Sequence, residues 1–476
     1  AQHLVVAYSG AGSEAQNGIS GPYALGTKSA ASASAPFQAS RAGLASAPDM
    51  AAEFHAMLRS RESELARDPA LRSAPRHSPP QAIPPVVGTK RTFQVCANVS
   101  CSSFVNVLST AKFVGPRGAI FVDDTVPAGG LSQQDVDSLG SLFDGASPNI
   151  YGIDTTAFGR ESDLDNNGVV IVLLSDAVNK LSGTCPGGSI ILGYFFGLDL
   201  VNDPHSNQGE VFYGLVPNPN GASCAVDRNF VFGNLPPVLI HEFQHMISFN
   251  QHVMLRAGNT EQTWLNEGLS HFAEELGGRV LPGTRCPGFS SCLQQFANGN
   301  VGNAGEYLTS PDDNFLVYPG SSFGTLPERG GSWLFVRWLM DHEAADTLLG
   351  TDLTRALLAT TQVGAGNVVA ATGKAFAGLV GEWQMANFVE SDPSIPDLSA
   401  RLRYRSWDFA TIFGTYPLVP DNVTNGTYAN TGTLRGGSGK HVIITQGANA
   451  APVDLQLKGS STFSSLVPRL AVVRIQ

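Results

Sequence analysis

The sequence predicts an α+β fold with two lobes, the first rich in β-strands and the second helical, followed by a small C-terminal β domain. Short apolar or alternating runs, separated by many Gly and Pro residues, fill the chain up to about residue 235, which is typical of short strands joined by turns. From Pro236 to about Phe388 the apolar residues recur at helical spacing. Alternating segments return beyond about residue 400. The length of 476 residues exceeds what one core needs.

The composition provides ample material for a core and a sparsely charged surface. Apolar residues make up 42% of the chain, charged residues make up 14%, and the formal net charge is -11. An acidic balance of this size argues against nucleic acid or an anionic membrane as the main partner.

No apolar run reaches about eighteen residues, so we expect no membrane span. The opening lacks the pattern of a signal peptide, and we interpret Ala1 as a mature start.

The first 85 residues predict an N-terminal arm. His3–Tyr8 predicts a strand, and residues 24–50 are rich in Ala, Ser and Pro, which indicates a linker. Met50–Asp68 is dense in helix formers with its apolar residues on one stripe, which predicts an amphipathic helix. The Pro-rich segment Arg76–Pro85 indicates a boundary. Three roles stay open for this arm: a pro-segment remnant, an autoinhibitory arm or a docking helix.

The first lobe is predicted over residues 86–235. Strands are expected within Arg91–Ser100 and Thr110–Asp124, where apolar and β-branched residues alternate or run together. A helix is predicted over Leu131–Ala146, and the apolar run within Asn166–Asp176 indicates a buried strand.

The helical second lobe is predicted over residues 236–400, and residues 401–476 form the predicted C-terminal β domain. The second-lobe helices are predicted over Pro237–Asn250, Glu261–Leu276, Gly331–Asp341, Leu353–Thr361 and Lys374–Val389. Pro236 and Pro237 are expected at the start of the first of these helices, where a missing N–H costs nothing.

The six cysteines fall into three close-set groups, and pairing within each group is the simplest arrangement because short loops close readily. The groups are Cys96 with Cys101, Cys185 with Cys224, and Cys286 with Cys292. The even number favours an oxidising compartment. The alternative is six free, buried thiols in a cytosolic protein.

The run IHEFQHM contains the pattern His-Glu-x-x-His within a predicted helix. His241 and His245 are one turn apart and point the same way, so the two imidazoles can hold one zinc ion. Glu242 lies between them and can reach the remaining coordination position. An apolar stripe on the same helix would anchor it in a core.

The run WLNEGLSHFAEEL predicts a second helix that supplies the third ligand. Glu267 would complete a His2Glu site and leave one position open for water, which indicates a catalytic rather than a structural metal. Zinc lowers the pKa of such a water towards neutrality. Glu242 would then take the proton as general base and deliver it to the leaving amine.

HEFQH followed by NEGLSH resembles the gluzincin zinc metallopeptidases. More narrowly, HEFQHMI with WLNEGLSHFAEEL is similar to the hyicolysin-like group of secreted bacterial neutral metallopeptidases. The resemblance is strongest over Leu239–Leu276 and extends more loosely from about Phe104 to about Met340. It implies a two-lobed zincin catalytic domain, peptide or protein substrates, and an edge strand just before residue 235 that holds the substrate in extended form. The implied zinc ligands are His241, His245 and Glu267, and the implied base is Glu242.

One position departs from the thermolysin-like members, in which an Asp orients the first zinc histidine. His271 stands at that position, and an imidazole does not replace a carboxylate acceptor in the usual way. The acceptor is then expected from Asn266, Glu274 or Glu275. Alternatively, His271 faces the cleft and binds substrate.

A donor that stabilises the oxyanion is expected after Glu267. Four residues are candidates: Tyr307, Tyr318, Arg329 and His342. Arg329 precedes Gly330 where relatives often carry Tyr-Gly, and Tyr318 could reach the site from a loop. The choice between them stays open.

A further motif, with Asp163, Asp165, Asn167 and Gly168, reproduces the start of a calcium loop. Leu174 occupies the position of the bidentate Glu, so the motif is not an EF-hand. The two interpretations are a calcium site and an Asx-rich turn that leads into a buried strand.

Together these patterns predict a monomeric, secreted bacterial zinc metallopeptidase, with Ca²⁺ as a possible second ion. The periplasm and the cell surface are alternative locations. Two other functions are weighed against it: an inactive zincin-fold binding module at the cell surface, and a zinc hydrolase of a non-peptide amide or ester.

Overall fold

The computed structural model describes residues 1–14, 20–27, 50–68, 84–127, 130–183, 185, 189–222, 224–320, 322–395, 399–424, 427–459 and 463–476. Over these residues the protein has the predicted α+β architecture. The predicted linker lies outside the described residues except for residues 24–27, which belong to a strand, and residue 50, which begins a helix. Most of the Pro-rich segment Arg76–Pro85 also lies outside them.

The regular elements of the described chain alternate between strands and helices in the first lobe and are helical in the second. The strands are β1 (Gln2–Ser9), β2 (Ser20–Thr27), β3 (Lys90–Cys96), β4 (Phe104–Val114), β5 (Gly118–Asp123), β6 (Val170–Leu174), β7 (Gly193–Phe195), β8 (Val211–Gly214), β9 (Asp421–Thr424), β10 (Ala429–Arg435), β11 (Gly439–Thr445), β12 (Leu455–Gly459) and β13 (Pro468–Arg474). The α-helices are α1 (Met50–Arg67), α2 (Gln133–Asp144), α3 (Ile150–Phe158), α4 (Asp176–Leu181), α5 (Arg228–Phe249), α6 (Thr263–Val280), α7 (Cys292–Thr309), α8 (Leu326–Glu343), α9 (Thr351–Leu358), α10 (Gly364–Thr372), α11 (Phe376–Val389) and α12 (Phe409–Phe413).

A six-stranded sheet organises the first lobe. Its strand order is β3-β4-β5-β6-β8-β7. Strands β5, β6 and β8 are parallel, whereas β7 is antiparallel to β8 and forms the edge of the sheet. Every residue of β6 is buried, as expected for a parallel strand covered on both faces. The edge strand β7 packs against α5 in the second lobe.

Helix α5 begins earlier than the sequence predicted. It starts at Arg228 after Asp227, whose side chain accepts a hydrogen bond from the N–H of Phe230. Pro236 and Pro237, expected at the helix start, lie inside the helix instead. The prediction was wrong because an N-cap nine residues upstream of Pro236 begins the helix. The side chain of Gln295 donates to the carbonyl oxygens of Phe232 and Gly233, which the two prolines leave without their helical donors.

The N-terminal and C-terminal strands form one β unit of two sheets. One sheet has the order β13-β1-β11-β9 and the other has the order β10-β2-β12. The strand predicted at His3–Tyr8 is present as β1, and it pairs antiparallel with both β11 and β13. Buried side chains that include Val5, Tyr23, Leu434 and Val442 fill the space between the sheets. The chain therefore leaves this unit after β2 and returns to it at β9.

The six cysteines form the three predicted local disulfides, Cys96–Cys101, Cys185–Cys224 and Cys286–Cys292. The second bridge closes the longest loop, since its two cysteines are 39 positions apart in the sequence. Among the described helices, none combines the length and apolar character that a membrane span requires.

Candidate metal centre

Three predicted ligands meet between α5 and α6. Nε2 of His241 lies 3.4 Å from Oε2 of Glu267, and Nε2 of His245 lies 3.2 Å from Oε1 of Glu267. The two Nε2 atoms are 3.2 Å apart. All three side chains are buried, and Glu267 is fully inaccessible.

The spacing of these atoms fits an ion with the coordination distances of zinc. Ligand atoms about 2.0–2.1 Å from a tetrahedral zinc lie about 3.3 Å from one another, close to the three separations between the side chains. Neither carboxylate oxygen of Glu267 has a hydrogen-bond partner among the described residues. Because an unpartnered buried carboxylate is costly, a cation at this point would satisfy the group.

The charges at the site also favour a cation. Burial raises the pKa of Glu267, but the imidazoles of His245 and His241 outweigh burial and hold that pKa well below its usual range. Burial lowers the pKa of His245 to about 3, so this imidazole is neutral, which is the form that binds a metal. Burial alone would lower the pKa of His241, but Glu267 and Glu274 raise it to about 10. Metal binding would displace that proton.

Glu274 fixes the orientation of His241. Its Oε1 lies 2.6 Å from Nδ1 of His241 and 3.0 Å from Nδ1 of His271. Of the acceptors considered from the sequence, Glu274 makes this contact, whereas Glu275 accepts a hydrogen bond from the indole of Trp333. A carboxylate at Nδ1 leaves Nε2 free for the metal. His271 shares this carboxylate and does not substitute for it.

The other imidazole has a different partner. Ser270 Oγ lies 3.1 Å from Nδ1 of His245 and donates to the side-chain oxygen of Gln244. Asn266, predicted near the metal, lines a cavity of about 360 Å³ together with His245 and Glu62. Its Oδ1 has no hydrogen-bond partner among the described residues.

Glu242, the predicted base, lies between the ligands and the edge strand. The N–H of Phe195 in β7 donates to its Oε2 at 3.0 Å. Burial raises the pKa of Glu242, and the positive charge of His241 offsets part of that effect. Its Oε1 lies 3.8 Å from Nδ1 of His55 in α1. A buried carboxylate with a raised pKa, next to residues that could hold a metal, is suited to accept a proton.

Tyr318 and Arg329, two of the candidate oxyanion donors, have different surroundings. Tyr318 is buried; burial raises its pKa, and the negative charge of Glu267 raises it further. Its hydroxyl therefore keeps its proton and remains a donor. The guanidinium of Arg329 lies over the ring of Phe323, 4.6 Å from its centroid.

The two other donor candidates are engaged elsewhere. The hydroxyl of Tyr307 accepts a hydrogen bond from Gln384, and Nε2 of His342 lies 2.8 Å from the carbonyl oxygen of Arg403.

The prediction of an edge strand just before residue 235 is wrong. The strand nearest to that position, β8, is interior, because β7 comes earlier in the chain but lies outside it at the edge.

A close approach between α6 and α8 positions Glu267. A Cβ at Gly268 would lie 2.9 Å from the carbonyl oxygen of Ser332 in α8. Because such a distance is too short for real side chains, only glycine permits this packing. The neighbouring Leu265 and Leu269 are fully buried, so the helix face that carries the carboxylate is fixed from both sides.

A second cluster lies where β6 and β8 begin. Asp163, Asp165 and Glu210 offer carboxylate oxygens within 4.8 Å of one another. Glu210 is 1% exposed, and its Oε2 has no partner among the described residues. Asn167, predicted as a ligand, is used within the turn, since its amide donates to Asp165 and its oxygen accepts from the N–H of Val169. Sequence reasoning missed Glu210, although an acidic residue directly before a buried strand was visible.

Within this fold, His241, His245 and Glu267 form a cluster that could hold a metal ion. The chain is similar to the neutral metalloprotease ShpI of Staphylococcus hyicus, with 28% identity over 167 residues. The match covers 35% of this chain and 35% of the relative, so the chain spans about a third of the length of the curated relative it matches. No protein-family model matches the chain.

Proposed function

We propose that the protein is a secreted zinc metallopeptidase of the gluzincin type. The observation that carries the proposal is the convergence of His241, His245 and Glu267 at mutual separations of 3.2 to 3.4 Å. The similarity to a neutral metalloprotease supports a metallopeptidase at the general level. The three disulfides support a location outside the cytosol.

His241, His245 and Glu267 would hold the zinc ion, which when bound supplies a Lewis acid for the scissile carbonyl and the attacking water. Glu242 takes the proton from that water and later delivers it to the leaving amine. The N–H of Phe195 holds Oε2 of Glu242, which leaves Oε1 for the proton. Glu274 keeps His241 in the orientation that directs Nε2 to the metal.

We assign oxyanion stabilisation to Tyr318 rather than to Arg329. Tyr318 stays protonated because burial and the charge of Glu267 raise its pKa, so it can donate a hydrogen bond to a developing negative charge. The guanidinium of Arg329 stacks on the ring of Phe323, and its Nε has no hydrogen-bond partner among the described residues. Tyr318→Phe should therefore lower kcat with little change in KM, and Arg329→Lys should lower kcat less.

Substitution of the base tests the function. Glu242→Gln keeps the size of the side chain and removes the proton acceptor, so kcat/KM on casein or a labelled peptide should fall about 100- to 10,000-fold while bound zinc remains stoichiometric. Glu306→Gln, at an exposed position on α7, serves as the control. If wild type and Glu242→Gln are equally inert with zinc bound, the result would contradict the peptidase function and favour an inactive binding module. Cleavage of amide or ester model compounds without peptide cleavage would favour a non-peptide hydrolase.

We also propose that Asp163, Asp165 and Glu210 bind Ca²⁺. Hard carboxylate oxygens are the ligands that calcium prefers, and the buried, unpartnered Oε2 of Glu210 supplies a group that needs a cation. Calorimetric titration should show one Ca²⁺ bound per chain in wild type. Asp165→Asn and Glu210→Gln should each abolish it, whereas Glu306→Gln should bind normally. Calcium binding that survives both substitutions would place the ion elsewhere.

A further inference from the structure

Helix α1 lies against the candidate metal centre, on the edge of the sheet where an extended substrate would bind. Its buried face, which includes Phe54, Leu58 and Leu65, is continuous with the main core. The ring of Phe54 packs edge-on against Tyr194 in β7, with the centroids 5.0 Å apart. The backbone N–H of Ala51 is anchored by Ser189. The helix is therefore docked along much of its length.

Helix α1 binds one backbone group of the edge strand β7 and one of the turn that follows it. The guanidinium of Arg59 donates to the carbonyl oxygen of Phe195 at 3.0 Å, and the carboxylate of Glu62 accepts from the N–H of Gly197 at 2.8 Å. Arg59 and Glu62 also form an ion pair at 3.2 Å, and both are buried. An extended peptide added to this edge would need the carbonyl oxygen of Phe195 and the space beside β7 that α1 fills. The helix and such a peptide therefore exclude each other.

The same helix covers the proposed base. His55 stacks on Phe323 with centroids 5.1 Å apart, and its Nδ1 lies 3.8 Å from Oε1 of Glu242. That oxygen is the one left free by Phe195. The imidazole thus stands where a water and a scissile carbonyl would have to approach the base.

We propose that α1 is an inhibitory segment, which holds the enzyme inactive by filling the substrate groove, and that activity requires α1 to leave it. The proposal rests on the proposed peptidase function. The occupant of the groove is helix α1 of the same chain, Met50–Arg67. Of the roles that the sequence left open for the N-terminal arm, this geometry supports autoinhibition.

The test loosens the helix while keeping all proposed zinc ligands. The double variant Phe54→Ala/Arg59→Ala removes the contacts to Tyr194 and Phe195, and Arg61→Ala, on the exposed side of α1, is the matched control. Hydrogen exchange should show faster exchange in α1 for the double variant alone. Transfer of zinc to a chelator should become at least about tenfold faster, and kcat/KM on a short peptide should rise at least about tenfold. The control should match wild type in all three.

His55→Ala is the milder variant, since it removes the ring over Phe323 and leaves the helix core intact. It should raise kcat/KM by a smaller factor than the double variant and keep the melting temperature within a few degrees of wild type. His55→Ala therefore tests the inhibitory role even if the double variant fails to fold. Unchanged chelator kinetics and unchanged kcat/KM in variants whose α1 exchanges faster would overturn the inhibitory role. If no variant cleaves peptides but zinc transfer still accelerates, the peptidase proposal fails while the covering of the metal site by α1 stands.

Discussion

Oε1 of Glu274 lies 2.6 Å from Nδ1 of His241, so the carboxylate that contacts the first histidine of the proposed zinc site is found one helical turn beyond His271, the position of the usual Asp. The same oxygen binds His271. The helix α6 therefore supplies both a proposed metal ligand and the group that orients another. This arrangement explains how a histidine can stand at the position of that Asp without loss of the site.

Loss of this contact should weaken the metal site. Glu274→Gln keeps the shape of the side chain but removes the charge that accepts from His241, so we expect zinc affinity and kcat/KM to fall about 10- to 100-fold. Competition with a fluorescent chelator measures the affinity. Glu64→Gln, exposed on α1, should behave as wild type. Full zinc affinity in Glu274→Gln would remove Glu274 from its orienting role.

Zinc removal should destabilise the protein through Glu267. Its carboxylate is inaccessible and lacks a hydrogen-bond partner among the described residues, so a bound cation stabilises the folded state by mass action. We expect the melting temperature to fall by several degrees when a chelator removes zinc and to recover when zinc is returned. Glu267→Ala should show no response to zinc, and a wild-type response in that variant would contradict the ligand assignment.

The stability of the calcium-free protein should depend on pH through Glu210. Burial raises the pKa of this carboxyl from 4.5 to about 7. Between these values the folded state holds a proton that the unfolded state has lost, so the stabilising contribution is complete below about pH 4.5 and is lost as pH rises through 7. The upper limit of the effect is about 3 kcal/mol.

Glu210→Gln isolates this effect from other buried carboxyls that shift in the same direction. Without calcium, the melting temperature of wild type should fall more steeply than that of Glu210→Gln between about pH 5 and pH 8. Calcium should stabilise wild type more at pH 8 than at pH 5, since it binds the ionised carboxylate. Parallel pH profiles for the two proteins would show that Glu210 does not titrate in this range.

A disulfide that closes a longer loop should contribute more to the free energy of unfolding. Cys185–Cys224 spans 39 residues and Cys96–Cys101 spans 5. In the chain-entropy treatment, replacing the first pair by Ser should cost about 4 kcal/mol and replacing the second about 2 kcal/mol. Urea unfolding of the two double variants measures the difference. Equal losses would mean that native contacts, and not loop closure, set the contributions.

Helix α7 was not among the predicted helices, because tertiary packing overrides local preference. Helix α7 carries Gly299, Gly302 and Gly305 among polar residues, so its intrinsic helix propensity is low. It forms because it packs against both α6 and α8. The pairing of β1 with β11 and β13 was equally invisible, because partners more than 400 residues apart leave no local pattern.

The sequence by itself determined the parts of the site that lie within one helical turn. The spacing of His241 and His245 places both imidazoles on one face of a helix, whatever surrounds it, and the second run marked Glu267 as a carboxylate on another helix. The spacing of the cysteines also favoured the pairs Cys96–Cys101 and Cys286–Cys292, whose members are 5 and 6 positions apart, because short loops close readily.

Only the tertiary structure decided which distant groups meet. It chose Glu274 over Asn266 and Glu275 as the partner of His241, since the choice depends on how α6 rotates against α5. It added Glu210 to the acidic loop and placed α1 across β7. Contacts of this kind depend on crossing angles and packing between separate elements, which residue spacing along the chain does not specify.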